Sequence, residues 1–468
     1  MTPSESIGAS LAVTRALLTD QPKPDAMHQT DANSTGHSLA YSWYIVVLCM
    51  VAYIFSFIDR QIIALLVQPI RADLQISDTG FSLLQGLAFS IFYALMGLPI
   101  ARLADTKSRP LIIAVGIFIW SIATAVCGTA RNFWQLFVAR MGVGVGEAAL
   151  SPAAYSMIAD SFPRSRLGLA LGIYSIGSFI GAGLAFLIGG AAIEWVSQVG
   201  EISLPVVGIV KPWQMSFFIV GIPGVLIAAL FFLTVRDPGR KGTTTAGYAG
   251  YTITQVLAYI RRHKTTFASH YLGFGLLALP LFALLSWAPA FFIRNYGLSP
   301  KEVGVYVGSI VLVSNTTGVL ASGWLIDFFT RKGHTDAPLR SGIVGGLGLL
   351  VPVVLFSSVG DMPVTILLFG LGMFFASFPM ATSAAALQTM APNQMRAQVT
   401  ALFFVFMNLL GITGGATLVA LCTDYVFRND VAVGYSMSII ASASGLIGAL
   451  LLLFGLKYFR ATVAEMAA

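Results

Sequence analysis

The chain has 468 residues, of which 56% are hydrophobic and 10% are charged. Soluble proteins average about 25% charged residues, so this composition excludes a soluble protein and indicates many membrane-spanning helices. The net charge of +7 does not indicate nucleic-acid binding, because the basic residues lie in short connections between apolar stretches.

Residues 1–40 are polar and rich in Ser, Thr, Asp and Ala. They lack the basic region and the apolar core of a signal peptide, so we predict a disordered cytoplasmic tail. The first helix then serves as the insertion signal.

The first apolar stretch, from Tyr41 to Ile70, contains the adjacent charged residues Asp59 and Arg60. About 20 residues at 1.5 Å each cross a hydrocarbon core of about 30 Å, so the stretch predicts a transmembrane helix. A charge at the bilayer centre costs roughly 2.5–3.5 kcal/mol. Such residues therefore face protein or water, and they are typical of functional sites.

Twelve apolar spans can be marked along the chain. They lie at about 43–67, 80–101, 110–130, 133–158, 167–190, 215–235, 270–293, 303–326, 341–359, 363–388, 396–421 and 433–456. Because the number is even, both termini lie on the same side. Most of the 27 Lys and Arg residues lie in the tail, the even-numbered connections and the C-terminus. This distribution predicts that both termini are cytoplasmic.

The longest central connection, residues 236–269, separates six spans from six. We therefore predict an N-terminal six-helix bundle over 41–235 and a C-terminal six-helix bundle over 270–460. The end of the connection carries four apolar residues on one helical face: Ile253, Val256, Leu257 and Ile260. With the basic residues that follow, this predicts a helix on the cytoplasmic membrane surface, the alternative being a plain charged linker.

The two halves repeat the same short patterns. The loop after the second span carries Asp105 and Arg109, and the loop after the eighth span carries Asp327 at the equivalent place. A second repeat pairs Gly181 in the fifth span with Gly411 in the eleventh. Two matched pairs at matched positions indicate duplicated halves.

At this point the chain resembles the major facilitator superfamily. Three features carry the resemblance: the Asp105/Arg109 loop with its copy at Asp327, Arg140-Met-Gly-Val-Gly144, and Trp213…Phe217…Gly221-Ile-Pro-Gly224. The first loop departs from the superfamily pattern, with Ala101 and Ser108 where glycines are usual. The resemblance covers about residues 41–460 and implies an all-α membrane protein of twelve transmembrane helices in two pseudo-symmetric six-helix bundles.

Three stretches further resemble the Spinster-like branch of that superfamily. They are FIDRQIIALLVQPIRADLQISDTGFSLLQG, IARLADTKSRP and ARMGVGVGEAALSPAAYSMIADSFP. This resemblance implies transport of lysophospholipids or sphingosine-type lipids with proton coupling.

Four ionisable residues lie at clear membrane depth: Asp59, Arg60, Arg140 and Glu147. Asp59 lies about eight residues before the outer end of the first span, and Arg140 about seven residues after the outer start of the fourth. Both are therefore roughly 10–12 Å below the outer edge. The first and fourth helices are neighbours in the superfamily fold, so Asp59 and Arg140 can meet. Glu147 lies two turns deeper, on the same helical face as Arg140.

This constellation predicts a proton relay of Asp59, Glu147 and Arg140. Burial favours the protonated form of a carboxylate and a nearby guanidinium favours the charged form. If the Asp59–Arg140 contact forms in one conformation and breaks in another, proton binding is coupled to alternating access. The alternatives are a static buried ion pair and a site that only binds a substrate anion. Arg60 either faces the cavity and holds an anionic headgroup or points along the helix interface.

The C-terminal spans contain no charge, and their polar candidates for substrate binding include Asn315 and Asn408. Each of these also fits a role in packing between helices. We predict that Asp105, Arg109 and Asp327 act in gating, with Asp105 either capping the following helix or pairing across the two halves. The alternative is that they only set topology.

The sequence contains no phosphate-binding loop, no metal-ligand spacing and no nucleophile elbow, which argues against an ATP-driven pump or an enzyme. We predict a monomeric, multi-pass, proton-coupled secondary transporter of an amphiphilic lipid in the cell membrane. It uses the proton gradient and no cofactor or metal. The alternatives are a proton-coupled drug exporter, a small organic-anion symporter and a lipid-binding membrane scaffold without transport.

Overall fold

The computed structural model describes residues 38–205, 208–240, 253–392 and 395–467. Most of the predicted tail, residues 1–37, and the centre of the predicted linker, residues 241–252, lie outside this range. Among the described helices, eleven are long and apolar enough to cross a membrane. A twelfth span consists of two shorter helical segments.

The twelve spans are numbered α1 to α12. The first half comprises α1 Leu39–Leu65, α2 Asp78–Thr106, α3 Arg109–Cys127, α4 Phe133–Glu147 with Leu150–Ser161, α5 Arg164–Val199 and α6 Pro212–Thr234. The second half comprises α7 Lys264–Tyr296, α8 Pro300–Arg331, α9 Ala337–Leu355, α10 Met362–Met390, α11 Gln398–Phe427 and α12 Val433–Ala467. We call the side at which α1 begins and α12 ends the terminal face, and the opposite side the far face.

Three short elements connect these spans. The helix Val67–Leu74 links α1 to α2 at the far face. An antiparallel hairpin of β1 (Ile202–Leu204) and β2 (Gly208–Val210) precedes α6, with Ile202 opposite Val210. The linker helix Ile253–Arg262 precedes α7.

The linker helix lies against the terminal face of the second half. Val256 is fully buried, and the hydroxyl of Tyr259 donates a hydrogen bond to the main-chain oxygen of Met390 at 3.0 Å. Ile253 and Leu257, which share the predicted apolar face, remain exposed. Apolar side chains left exposed beside basic ones suit contact with a membrane surface.

The prediction of one continuous fourth span is wrong in detail. The helix is interrupted at Ala148 and Ala149, directly after Glu147. Neither segment reaches the length of a membrane-spanning helix, although together they extend from the far face to the terminal face. The interruption therefore lies next to the buried carboxylate of this span.

The predicted repeat of Gly181 and Gly411 corresponds to equivalent helix contacts in the two halves. A side chain at Gly181 would lie 2.8 Å from the main-chain oxygen of Ile54, so α5 packs closely on α1. A side chain at Gly411 would lie 2.9 Å from the ring of Phe282, so α11 packs on α7. Helices related by the duplication thus pair in the same way.

The halves are joined at mid-depth and at the far face. At the far face, Arg294 of α7 binds Asp78 of α2 with two hydrogen bonds of 2.6 and 2.7 Å. Deeper in the membrane, Ser90 and Thr413 are hydrogen-bonded at 2.5 Å. The outer parts of α5 and α8 also touch, because Gly304 lies against the carbonyl of Phe186.

We expect Gly304→Ala to destabilise the protein by about 1–3 kcal/mol, because the added methyl group meets a main-chain oxygen that cannot rotate away. The thermal unfolding midpoint of the purified protein tests this. Gly323→Ala on the same helix is the control, since nothing lies within 4 Å of its new methyl group. Equal midpoints for the two variants would contradict the close contact.

Candidate functional site

Arg60 and Glu147 form an ion pair inside the first half. Arg60 Nη2 lies 2.5 Å from Glu147 Oε2, and Ser56 Oγ donates a hydrogen bond of 2.7 Å to the same oxygen. Ser56 and Arg60 are four residues apart, so one face of α1 presents both to α4. The sequence analysis missed Ser56, although this spacing was a usable signal. Arg60, whose orientation the sequence left open, is thus the ionic partner of Glu147.

Asp59 and Arg140 are adjacent, as predicted, but their contact differs from the expected ion pair. Arg140 Nη1 donates to the main-chain oxygen of Asp59 at 3.3 Å, not to its carboxylate. Asp59 Oδ2 accepts a hydrogen bond of 3.3 Å from Thr124, and Oδ1 has no partner among the described atoms. Consecutive residues of a helix point about 100° apart, so Asp59 and Arg60 reach different neighbours.

Three aromatic rings surround the guanidinium of Arg60. Its central carbon lies 4.7 Å from the ring of Phe57, 4.5 Å from Phe89 and 5.3 Å from Tyr93. The guanidinium carbon of Arg140 lies 5.8 Å from the same Phe89 ring. Each distance is within the range of a cation–π interaction. Phe89 therefore contacts both guanidinium groups of the cluster.

Glycines in α4 bring these groups together. A side chain at Gly146 would lie 2.5 Å from the main-chain nitrogen of Trp120, so α3 packs directly on α4. Gly144 lies against the carbonyl of Phe89 in the same way, which brings α2 close. These glycines therefore allow close helix approach.

Asn315 and Asn408, the candidates from the second half, lie beside interruptions of helical geometry. Asn315 ends the π-helical turn Val311–Asn315 of α8, is 3% exposed, and has an Oδ1 without a described partner. Asn408 directly precedes the π-helical turn Leu409–Thr413 of α11. Such turns are frequent at functional sites. Within the described part of the chain, no hydrogen bond joins either residue to the charge cluster.

Arg109 is fully buried at the terminal face of the first half. Its guanidinium binds Asp160 and Asp237, the latter at 2.5 Å, and its main-chain nitrogen donates to Asp237 at 3.0 Å. The prediction that Asp105 caps the following helix is therefore wrong. Asp237, 128 residues after Arg109, accepts the hydrogen bond from the first main-chain nitrogen of that helix. Asp105 itself is exposed and has no hydrogen bond or ion pair among the described residues.

Asp327, the predicted counterpart of Asp105, is also exposed. The described residues provide no ion pair for it in this arrangement of the halves. Pairing of Asp105 or Asp327 across the halves, predicted for the opposite conformation, stays a prediction.

The sequence analysis missed a charge network at the far face. Arg71 bridges Asp78 and Asp430 at 3.0 and 2.7 Å, beside the Arg294–Asp78 pair. Oxygen atoms of Asp78, Asp424 and Asp430 lie within 4.8 Å of one another. Guanidinium groups bind Asp78 and Asp430, and Asp424 accepts hydrogen bonds from Thr79, so the network links the two halves. Its members are far apart in sequence, and no local pattern indicated them.

The chain is similar to known membrane transport proteins. A family model of the Major Facilitator Superfamily matches residues 49–415. The chain belongs to the major facilitator superfamily. It is therefore an integral membrane protein of a transporter family.

Relatives place the chain within this superfamily. It is 28% identical to an MFS-type efflux pump of Mycolicibacterium smegmatis, over 95% of this chain and 99% of the relative. It is 26% identical to human protein spinster homolog 1, over 84% of this chain and 75% of the relative. Among solved structures, the chain is similar to a bacterial homologue of the human lysosomal transporter Spinster in an inward-facing, unoccupied conformation. The TM-score is 0.74 and the identity is 25%, with 92% of this chain and 98% of the homologue covered. The chain is thus Spinster-like, as its sequence motifs predicted.

We expect Asp237→Asn to lower the stability of the protein at neutral pH by roughly 1 kcal/mol. Burial raises the pKa of Asp237, but the hydrogen bonds from Arg109 outweigh burial and hold the pKa below its ordinary value. The stabilisation is therefore complete above about pH 4, the unfolded pKa, and disappears as the pH falls through the lower folded pKa.

The measurement is the thermal midpoint of both proteins between pH 7 and pH 3. The difference in thermal midpoint between the wild-type protein and Asp237→Asn should become smaller as the pH falls. Asp105→Asn is the control, because this exposed carboxylate has no described partner and its removal should leave the midpoint unchanged at every pH. A gap for Asp237→Asn that widens toward pH 3 would contradict the assignment.

Proposed function

We propose that this protein is a proton-coupled secondary transporter of an amphiphilic lipid that works by alternating access. The buried Arg60–Glu147 pair beside the unpaired carboxylate oxygen of Asp59 is the observation that carries the proposal. A purely structural ion pair needs no second carboxylate within the same few turns of helix. Two carboxylates and two guanidinium groups at membrane depth suit a relay that exchanges protons for internal partners.

Proton binding would act on this cluster in two steps. A proton on Glu147 removes the charge that holds Arg60, which releases the guanidinium without leaving a buried carboxylate unpaired. A proton on Asp59 neutralises the carboxylate that lies next to Arg140. Asp59, Glu147 and Arg140 thus remain our assignment for proton coupling.

The direction of access follows from the ion pairs at the far face. The distribution of Lys and Arg supports placing the terminal face and both termini in the cytoplasm. Contacts such as Arg294–Asp78 then close the extracytoplasmic side, as in an inward-facing transporter. These bonds must break for the opposite state to form. We propose that the protein works as a monomer in the cell membrane, driven by the proton gradient and without a cofactor.

The chemistry of the two walls supports an amphiphilic substrate. The first half supplies charges, whereas the second half supplies apolar side chains with isolated amides such as Asn315 and Asn408. A headgroup would contact the first wall and an acyl chain the second. The Spinster-like relationship favours a lysophospholipid or a sphingosine-type lipid.

A second candidate is proton-driven export of hydrophobic drugs. The relative named an efflux pump matches nearly the whole chain at 28% identity, which favours this alternative. The same proton relay would serve both functions.

We expect Asp59→Asn and Glu147→Gln each to reduce lysolipid uptake driven by a pH gradient at least tenfold, because each removes a proton-binding group. The measurement is uptake of radiolabelled lysophospholipid into proteoliposomes. Glu465→Gln is the control, since this exposed residue pairs with Arg262 at the terminal face and should transport normally. Undiminished pH-driven uptake in both site variants would overturn the relay. Uptake of hydrophobic dyes but not of lysolipid would favour the drug exporter.

A further inference from the structure

We propose that the aromatic rings around Arg60, together with Glu147, form a binding site for an ammonium group of the substrate, and that Arg60 fills this site while it is empty. We call Phe57, Phe89 and Tyr93 the aromatic box. This inference rests on the proposed transport function, for which it names the headgroup chemistry.

The box already binds a cation in this structure. Three ring faces lie 4.5–5.3 Å from the guanidinium carbon of Arg60. The carboxylate of Glu147 supplies the counter-charge at 2.5 Å. Aromatic faces combined with a carboxylate are the arrangement by which proteins recognise organic ammonium ions. The site therefore has the shape and charge for such a group.

The box can be reached from the space between the halves. The side chain of Arg60 is 12% exposed, whereas that of Glu147 is fully buried. Phe57 and Tyr93 are each only partly buried. A charged group in a membrane helix faces protein or water rather than lipid, so this opening lies on the cavity side.

Aromatic side chains extend from the box toward the terminal face. Tyr53, one turn before Phe57 on α1, contacts the Phe57 ring at 5.2 Å and stacks on Tyr174 at 4.9 Å. Tyr174 in turn contacts Tyr155, which is 42% exposed. Tyr174 is fully buried, so Tyr53 and Tyr155 supply the surface that a chain attached to the ammonium group would contact, along the path that is open in the inward-facing state.

Exchange of one cation for another avoids a large energetic cost. Removing Arg60 without a substitute would leave the buried carboxylate of Glu147 unpaired, which is strongly destabilising. An incoming ammonium group replaces both the ion pair and the cation–π contacts. Arg140 cannot serve as the placeholder, because it is fully buried behind Phe89.

The same carboxylate would then bind either a proton or the substrate cation. The charged groups near Glu147 are Asp59, Arg60 and Arg140, and Tyr53 and Tyr93 lie near its partner Arg60. Protonation of Glu147 removes the counter-charge of the box. A proton and the ammonium group would therefore be mutually exclusive on this carboxylate.

Two ten-carbon amphiphiles of opposite charge test the proposal: decyltrimethylammonium and decanesulfonate. Binding of each to the purified full-length protein in a neutral detergent is measured by equilibrium dialysis, with protein-free micelles as background. We expect decyltrimethylammonium to bind at least tenfold more tightly than decanesulfonate. Tighter binding of decanesulfonate would overturn the proposal and favour an anionic headgroup on Arg60.

Four variants locate the site. Phe89→Leu and Phe57→Leu should each weaken decyltrimethylammonium binding several-fold, whereas Phe232→Leu, which removes an exposed ring of α6 outside the box, should bind normally. Arg60→Met should bind the ammonium probe more tightly, because the internal competitor is gone. Weaker binding by Arg60→Met, in protein that elutes as a single species, would contradict the placeholder role. So would unchanged binding by both leucine variants.

The outcomes separate this inference from the proposed function. Charge-selective binding without pH-driven lysolipid uptake would retain the aromatic box and overturn the transport proposal. Normal pH-driven uptake without preference between the two amphiphiles would retain the transport proposal and overturn the box.

Discussion

The cost of burying charge in a membrane governs this molecule. Arg60 and Glu147 are tolerated at membrane depth because they neutralise each other, and because Ser56 and three aromatic rings complete their surroundings. Such a pair is weak evidence for stability, since apolar side chains of similar volume serve packing equally well. In the proposed mechanism its value lies in having two states, paired and released. The glycines of α4 serve this cluster by allowing α2 and α3 to approach it.

A second set of ion pairs joins the two halves at the far face. Asp78 and Arg294 are buried at the far face, so their separation carries a substantial desolvation penalty unless water replaces each partner. Between this network and the charge cluster, α2 and α11 meet where both contain π-helical turns, Leu83–Leu87 and Leu409–Thr413. Irregular turns of this kind can absorb changes in helix direction. The far-face network and the charge cluster are thus connected through elements that can bend.

Much of the fold could be predicted from the sequence, because the length and hydropathy of apolar stretches identify membrane helices. The spans, the duplication and the superfamily follow from apolar runs, from basic loops and from repeats such as Gly181 and Gly411. The interruption of α4 after Glu147 has a sequence signal that hydropathy does not show, since Pro152 lacks the N–H that would bond to the carbonyl of Ala148. The π-helical turns leave no sequence signal that we recognise.

For the site, the sequence by itself determined which groups are buried and at what depth, since charge inside an apolar run and a rise of 1.5 Å per residue suffice for that. Only the tertiary structure decided which groups pair. Arg60 rather than Arg140 binds Glu147, Asp237 rather than Asp105 caps α3, and Asp78 meets Arg294 across the halves. The depth of a residue depends on its own helix alone. Pairing depends on the rotation and separation of two helices, and contacts between residues far apart in sequence determine both.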